Sequence, residues 1–157
     1  MRSAILLIIA AAALFAESVA GLKWTAPAGW TSAGTAPMRA ATYNVQDAEC
    51  VVYFFGPGQG GSVDANIKRW SGQFQVNGAP AQPKIAKRTV NTLAVTTMDV
   101  SGTYEGMVEG AKPGYRMLAA ILESPGGNIF LKFAGPAVTI GASEKKFEQL
   151  LASFRKE

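Results

Sequence analysis

Tyr115-Arg116-Met117-Leu118-Ala119-Ala120-Ile121-Leu122-Glu123 runs into Ser124-Pro125-Gly126-Gly127 and then into Asn128-Ile129-Phe130-Leu131-Lys132-Phe133-Ala134. Two segments rich in strand-forming residues flank a four-residue stop. Pro-Gly supplies the fixed φ and the positive φ of a type II turn, so the whole segment predicts a β-hairpin. Working outward, Ile85 to Val90 and Leu93 to Val100 read as strands around a tight turn at Asn91-Thr92. Met38 to Val45 and Glu49 to Phe55 form another β-rich pair across Gln46-Asp47-Ala48, and the second run is apolar on both faces, as in a central strand. A short opening strand begins at Leu22 and stops at Pro27; Trp30 to Pro37 reads as loop, as does the glycine-rich stretch Gly102 to Gly114.

Two helices punctuate these strands. Ser62 is an N-cap with Asp64 in the first turn, and Val63, Ile67, Trp70 and Phe74 recur on one helical stripe that runs to Asn77-Gly78. Near the end, Phe147, Leu150, Leu151 and Phe154 form a second stripe, with Glu144 early and Arg155 and Lys156 late, as the helix dipole favours. Antiparallel strands with one helix inserted early and one at the end imply an α+β sandwich, with a sheet of about six strands and two helices.

The chain has 157 residues, 48% of them apolar and 17% charged, which suits one globular domain and excludes collagen, coiled coil, disorder and a disulfide scaffold. No histidine is present, so the usual general base near neutral pH and every Ser-His or Cys-His pair are missing. The single cysteine, Cys50, lies in the apolar run Val51-Val52-Tyr53-Phe54-Phe55 and reads as core filler, with a bridge between chains as the alternative. At the start, Arg2, the apolar run Ala4 to Phe15, and the small residues Ser18 and Ala20 form the three-part pattern of a secretory signal peptide over residues 1–20. The run is too short to span a bilayer, and Gly21 stands where a lipid-anchored chain would carry cysteine. The expected product is one soluble domain, residues 21–157, secreted or periplasmic, with a formal net charge of +4.

Pro37-Met38-Arg39-Ala40-Ala41, Val51-Val52-Tyr53-Phe54-Phe55-Gly56, Ala65-Asn66-Ile67-Lys68-Arg69-Trp70 and Phe133-Ala134-Gly135-Pro136, taken with the element order, resemble an uncharacterised family of exported bacterial proteins. In fold terms the chain is similar to the PsbP-type α/β/α sandwich. That resemblance implies a non-catalytic accessory or assembly role through protein binding, and it transfers no functional residue, because no short motif defines the fold.

Among the residues themselves, Gly56-Pro57-Gly58-Gln59-Gly60-Gly61 matches G-x-G-x-x-G between a strand and a helix. Gly58, Gly60, Gly61 and Ser62 are therefore candidates for anion contact. A dinucleotide is not expected: no acidic residue lies between Asp64 and Asp99 to hold a ribose, and Pro57 lacks a donor N–H. A Walker loop would need a lysine before Ser62. Lys84, Lys87 and Arg88 form the densest basic cluster, to which Lys68, Arg69, Lys145 and Lys146 could add, making a surface for an acidic partner or anionic lipid; nucleic-acid motifs are missing. Asp99, Glu105 and Glu109 gather without calcium-loop spacing, so no metal is expected. Trp70 belongs to the helical stripe, whereas Trp30, beside Gly29, is the indole expected at a surface contact. The sequence thus predicts a non-catalytic exported binding domain without cofactor that contacts another envelope protein, in part through the Gly102 to Gly114 segment. A small-ligand or anion binder using the glycine loop is the alternative, and a hydrolase with no assigned residue is the second.

Overall fold

The computed structural model describes residues 16–106 and 110–157. Most of the expected leader (1–15) and part of the expected loop (107–109) lie outside the described residues. The elements run β1 (Ala16–Val19), β2 (Leu22–Thr25), β3 (Thr31–Ser32), β4 (Arg39–Val45), β5 (Ala48–Tyr53), α1 (Val63–Ser71), β6 (Phe74–Val76), β7 (Ala79–Pro80), β8 (Lys84–Val90), β9 (Leu93–Tyr104), β10 (Lys112–Glu123), β11 (Ile129–Pro136), α2 (Ala137–Ser153) and β12 (Arg155–Lys156).

Among the described residues these strands form a nine-stranded sheet in the order β3-β4-β5-β11-β10-β9-β6-β7, with β8 also paired to β9, and a three-stranded sheet β1-β2-β12. The sheet is larger than the six strands expected. The short strands β3, β6 and β7 extend this sheet, and β1 and β12 build the smaller one; at two to four residues they are too short to show periodicity, and they form because a neighbouring strand offers unpaired backbone groups.

The hairpin of β10 and β11 sits at the centre, paired from Leu122↔Ile129 to Tyr115↔Pro136. Its turn differs from the type II expectation. Gly127 N–H donates to the Ser124 carbonyl at 3.0 Å, but the positive φ, +121°, falls on Gly127 and not on Gly126. Gly126 is required for closeness instead: a Cβ there would lie 2.4 Å from the Ala20 carbonyl oxygen.

Period-two geometry divides the central strands between two cores. Leu118, Ala120, Leu122, Leu131, Phe133, Cys50 and Val52 face Ile140, Phe147, Leu150 and Leu151 of α2. Met117, Ala119, Ile121 and Phe130 face Ile67 and Trp70 of α1, with Met98 and Phe74. Helices therefore lie on opposite faces of the sheet, giving the three layers expected, and the central strands lack apolar-polar alternation because both faces are buried.

Both helices differ from expectation at their ends. The first stops at Ser71, where Gly72 N–H reaches the Lys68 carbonyl; Phe74 belongs to β6 and is buried beside Tyr104, with ring centroids 5.2 Å apart. Asn77 (φ +51°) and Gly78 (φ +75°) make the turn between β6 and β7. The second helix ends at Ser153, before Arg155 and Lys156, which pair with β2, yet Arg155 Nη1 still donates to the Ser153 carbonyl at 2.9 Å at the negative end of the helix. Cys50 is fully buried, and desolvation holds its thiol well above the ordinary range, as a core residue requires.

Candidate functional site

A nine-residue helix is about 13 Å long at 1.5 Å per residue, too short to cover a sheet face of five or more strands. It covers the part of its face formed by Met98, Ala119, Ile121 and Phe130 and leaves the rest open. There, side chains from β4, β5, β9, β10 and β11 line a groove of about 500 Å³, including Arg39, Tyr53, Tyr104, Lys112, Tyr115 and Lys132.

Its walls are aromatic. Tyr104 and Tyr115 stack with centroids 6.1 Å apart, and Tyr53 stacks on Phe55 at 5.8 Å. Cations sit on these rings: the Arg39 guanidinium carbon lies 5.6 Å from the Tyr53 centroid and Lys112 Nζ 5.6 Å from that of Tyr115. Arg39 also forms an ion pair with Glu49, Nη1 to Oε1 at 3.1 Å. Burial raises the Tyr53 hydroxyl above its ordinary pKa, a shift the Arg39 charge opposes, so the tyrosine is a neutral hydrogen-bonding group.

Lys132 is the unusual member. It lies in the middle of the apolar strand β11, between Val51 of β5 and Ala119 of β10, with Nζ 5.7 Å from the Trp70 ring centroid. Among the described residues no carboxylate pairs with it. Its pKa is lowered, first by burial and then by the positive charges of Arg69 and Arg39. The groove's two carboxylates are engaged elsewhere, Glu49 with Arg39 and Asp47 as acceptor from the Thr139 hydroxyl, so the partly desolvated Lys132 ammonium is poised to accept an anionic group.

A larger cleft of about 700 Å³ lies on the other face, between Val76, Pro80, Lys84 and Ala137. Its Arg116 and Asp99 are already paired. Arg116 donates Nε and Nη2 to the Asp99 carboxylate at 2.9 and 2.8 Å and reaches Glu144 of α2 at 3.0 Å, which raises its pKa further. This triad fastens α2 to the sheet. It also occupies Asp99, which lies inside β9 and not in a loop, and no metal-binding cluster occurs among the described residues.

Of the residues singled out in the sequence, Ser62 caps α1, its Oγ accepting from Ala65 N–H at 3.2 Å. Asn66, which is not part of the Val63, Ile67 and Trp70 stripe, is fully buried and donates to the carbonyls of Gly60 and Ser62 at 2.8 and 2.9 Å, pinning the glycine loop to the helix. Gly60 packs under the aromatics: a Cβ would meet Phe130 at 2.6 Å and Phe55 at 2.7 Å. Gly58 and Gly61 both take positive φ, and Gly58 has open space around its Cβ position. Trp30 corrects the surface expectation. It is buried against Phe133 (5.1 Å) and Tyr43 (6.0 Å), because β3 turns it into the α2 core.

Lys84, Lys87 and Arg88 lie exposed on β8, with Arg88 paired to Glu148 at 2.7 Å. Their expected allies divide, Lys68 and Arg69 on α1 and Lys145 and Lys146 on α2, on opposite faces, so no single basic patch forms. Ser143-Glu144-Lys145-Lys146 carries the S-x-x-K spacing of Ser-Lys hydrolases, on α2. Lys146 Nζ donates instead to the Ala28 carbonyl at 2.7 Å. The Gly102 to Gly114 loop is shorter than expected, since β9 continues to Tyr104 and β10 begins at Lys112.

Two helices on opposite faces of an antiparallel sheet in this order make a PsbP-like α+β fold. The solution structure of cyanobacterial PsbP (CyanoP) from Synechocystis sp. PCC 6803 superimposes with a TM-score of 0.62 at 15% identity, covering 98% of each chain. A protein of unknown function from Pseudomonas aeruginosa aligns with a TM-score of 0.50 at 9% identity, over 89% of this chain and 94% of that one. No protein-family model matches the chain, and no curated protein does.

Proposed function

We propose that this chain is a non-catalytic, exported accessory domain that docks an acidic segment of another envelope protein in the groove around Lys132. The observation that carries the reading is Lys132 itself, a desolvated cation without a carboxylate partner among the described residues, at the floor of an aromatic groove. Among the lining residues the cations Arg39, Lys112 and Lys132 outnumber the carboxylates Asp47 and Glu49, and Arg69 adds positive charge near Lys132, which favours a carboxylate-bearing occupant. The groove lies open across five strands, roughly 20 Å at strand spacing, a length that suits an extended peptide better than a small metabolite. Tyrosine walls add amphipathic contact area at low entropic cost, as protein-recognition surfaces do. The PsbP-like fold is consistent with an accessory role.

A labelled peptide Glu-Glu-Tyr-Glu-Glu, blocked at both ends, tests the reading by fluorescence anisotropy against its lysine-substituted control. Binding of the acidic peptide alone, weakened about tenfold by Lys132→Met, is the expected result, equivalent to about 1.4 kcal/mol. Equal affinity of the variant, or preferential capture of inorganic phosphate or anionic vesicles over the peptide, overturns it.

A further inference from the structure

We infer that the leader is cut ahead of Glu17, at the Ala16–Glu17 bond or upstream, so that the mature chain keeps residues 17–20; this rests on the proposed export. The small-residue pair Ser18-x-Ala20 marks Ala20 as the cleavage point in the sequence. In the fold the same residues are part of the domain. The strand β1 pairs with β2 through Glu17↔Trp24, Ser18↔Lys23 and Val19↔Leu22, and Ala20 (φ +55°) and Gly21 (φ +73°) supply the two positive φ angles of a tight hairpin turn.

Side chains match partners distant in sequence. The Tyr43 hydroxyl donates to Glu17 Oε2 at 2.9 Å and accepts from Trp24 Nε1 at 2.8 Å, and both aromatic residues are fully buried. Val19 and Ala20 pack against the larger core, and Ala20 lies where only a glycine at 126 leaves room for it. A leader is discarded before the domain folds, so nothing requires its residues to complement Tyr43 or Gly126. Cutting at Ala20–Gly21 would strip β2 of a neighbour and leave the buried Tyr43 hydroxyl without its acceptor. Ahead of Glu17, Ala16 supplies one small residue, with Leu14 two positions before it, while Ala11-Ala12-Ala13 supplies the small-x-small pair for a cut further upstream. In that step a leader peptidase adds water across the amide, leaving a carboxylate on Ala16 and an ammonium on Glu17.

Intact mass and N-terminal sequencing of the full precursor expressed in a bacterial host, with envelope and cytosolic fractions separated, test the site. An envelope species beginning at Glu17 or earlier, after removal of Met1, supports the inference. An envelope species beginning at Gly21 overturns it and leaves export standing, whereas a cytosolic chain still beginning at Met1 overturns both. Glu17→Ala in the precursor gives a second readout: the purified envelope protein should melt about 2–4 °C lower. An unchanged melting temperature shows that Glu17 has no place in the mature fold and overturns the inference.

Discussion

The two faces of the central sheet are built from the same strands yet end in opposite states. One is covered by a seventeen-residue helix, about 25 Å long, which seals Leu118, Ala120, Leu131 and Phe133 beneath Phe147, Leu150 and Leu151. The other carries a nine-residue helix and leaves Tyr53, Tyr115 and Lys132 facing a groove. Sheet-face chemistry alternates residue by residue, so a single strand such as β11 contributes Leu131 and Phe133 to a dry core and Lys132 to a wet one. Helix length, more than strand composition, decides which face is available to a partner.

This contrast can be broken at several points. Phe133→Ala, on the sealed face, should cost about 3–5 kcal/mol in urea denaturation, since it removes a fully buried ring in contact with Trp30 and Phe147. Tyr115→Ala, on the open face, should cost clearly less; similar losses would abolish the distinction. Arg116→Met leaves Asp99 and Glu144 without their shared cation. A loss of about 1–3 kcal/mol is expected, and the change in midpoint measures how far the triad, and not apolar packing alone, holds α2 down. Ser62→Ala should cost about 1 kcal/mol, because α1 relies on a side-chain cap, whereas Pro136 at the start of α2 provides none.

The smallest effect is a pH slope. Lys132 has a folded pKa below its ordinary 10.5, so between that lowered value and 10.5 the unfolded chain binds more protons than the folded one. Stability from this group therefore rises with pH across that window, and Lys132→Met should remove the slope while leaving the melting temperature equal or higher at neutral pH. A Lys132→Met protein that melts lower at neutral pH would show the lysine to be stabilising, contrary to its unpaired burial.

Much of the architecture is legible in the chain because its signals are local. The Ser62 cap, the Val63, Ile67 and Trp70 stripe, the Asn91-Thr92 turn (φ +46° and +71°) and the β10–β11 hairpin each depend on neighbouring residues. The groove was legible only as one anomaly, a lone Lys132 between Leu131 and Phe133 in an otherwise apolar run. Its companions come from β4, β5, β9 and β10, and no spacing in the chain links Arg39 to Tyr115. Trp30 misled for the same reason: a turn residue reads as exposed until the core that receives it is known.

What the residues themselves determined is the α+β class, the main strands and both helices, since backbone preference and apolar periodicity act over a few positions. Tertiary structure alone decided the nine-strand extent of the sheet, the division of Lys68 and Arg69 from Lys145 and Lys146, and the meeting of Tyr53, Tyr115 and Lys132. Short edge strands and open grooves depend on which distant backbone and side-chain groups are left unpaired once the layers pack, and that quantity exists only in three dimensions.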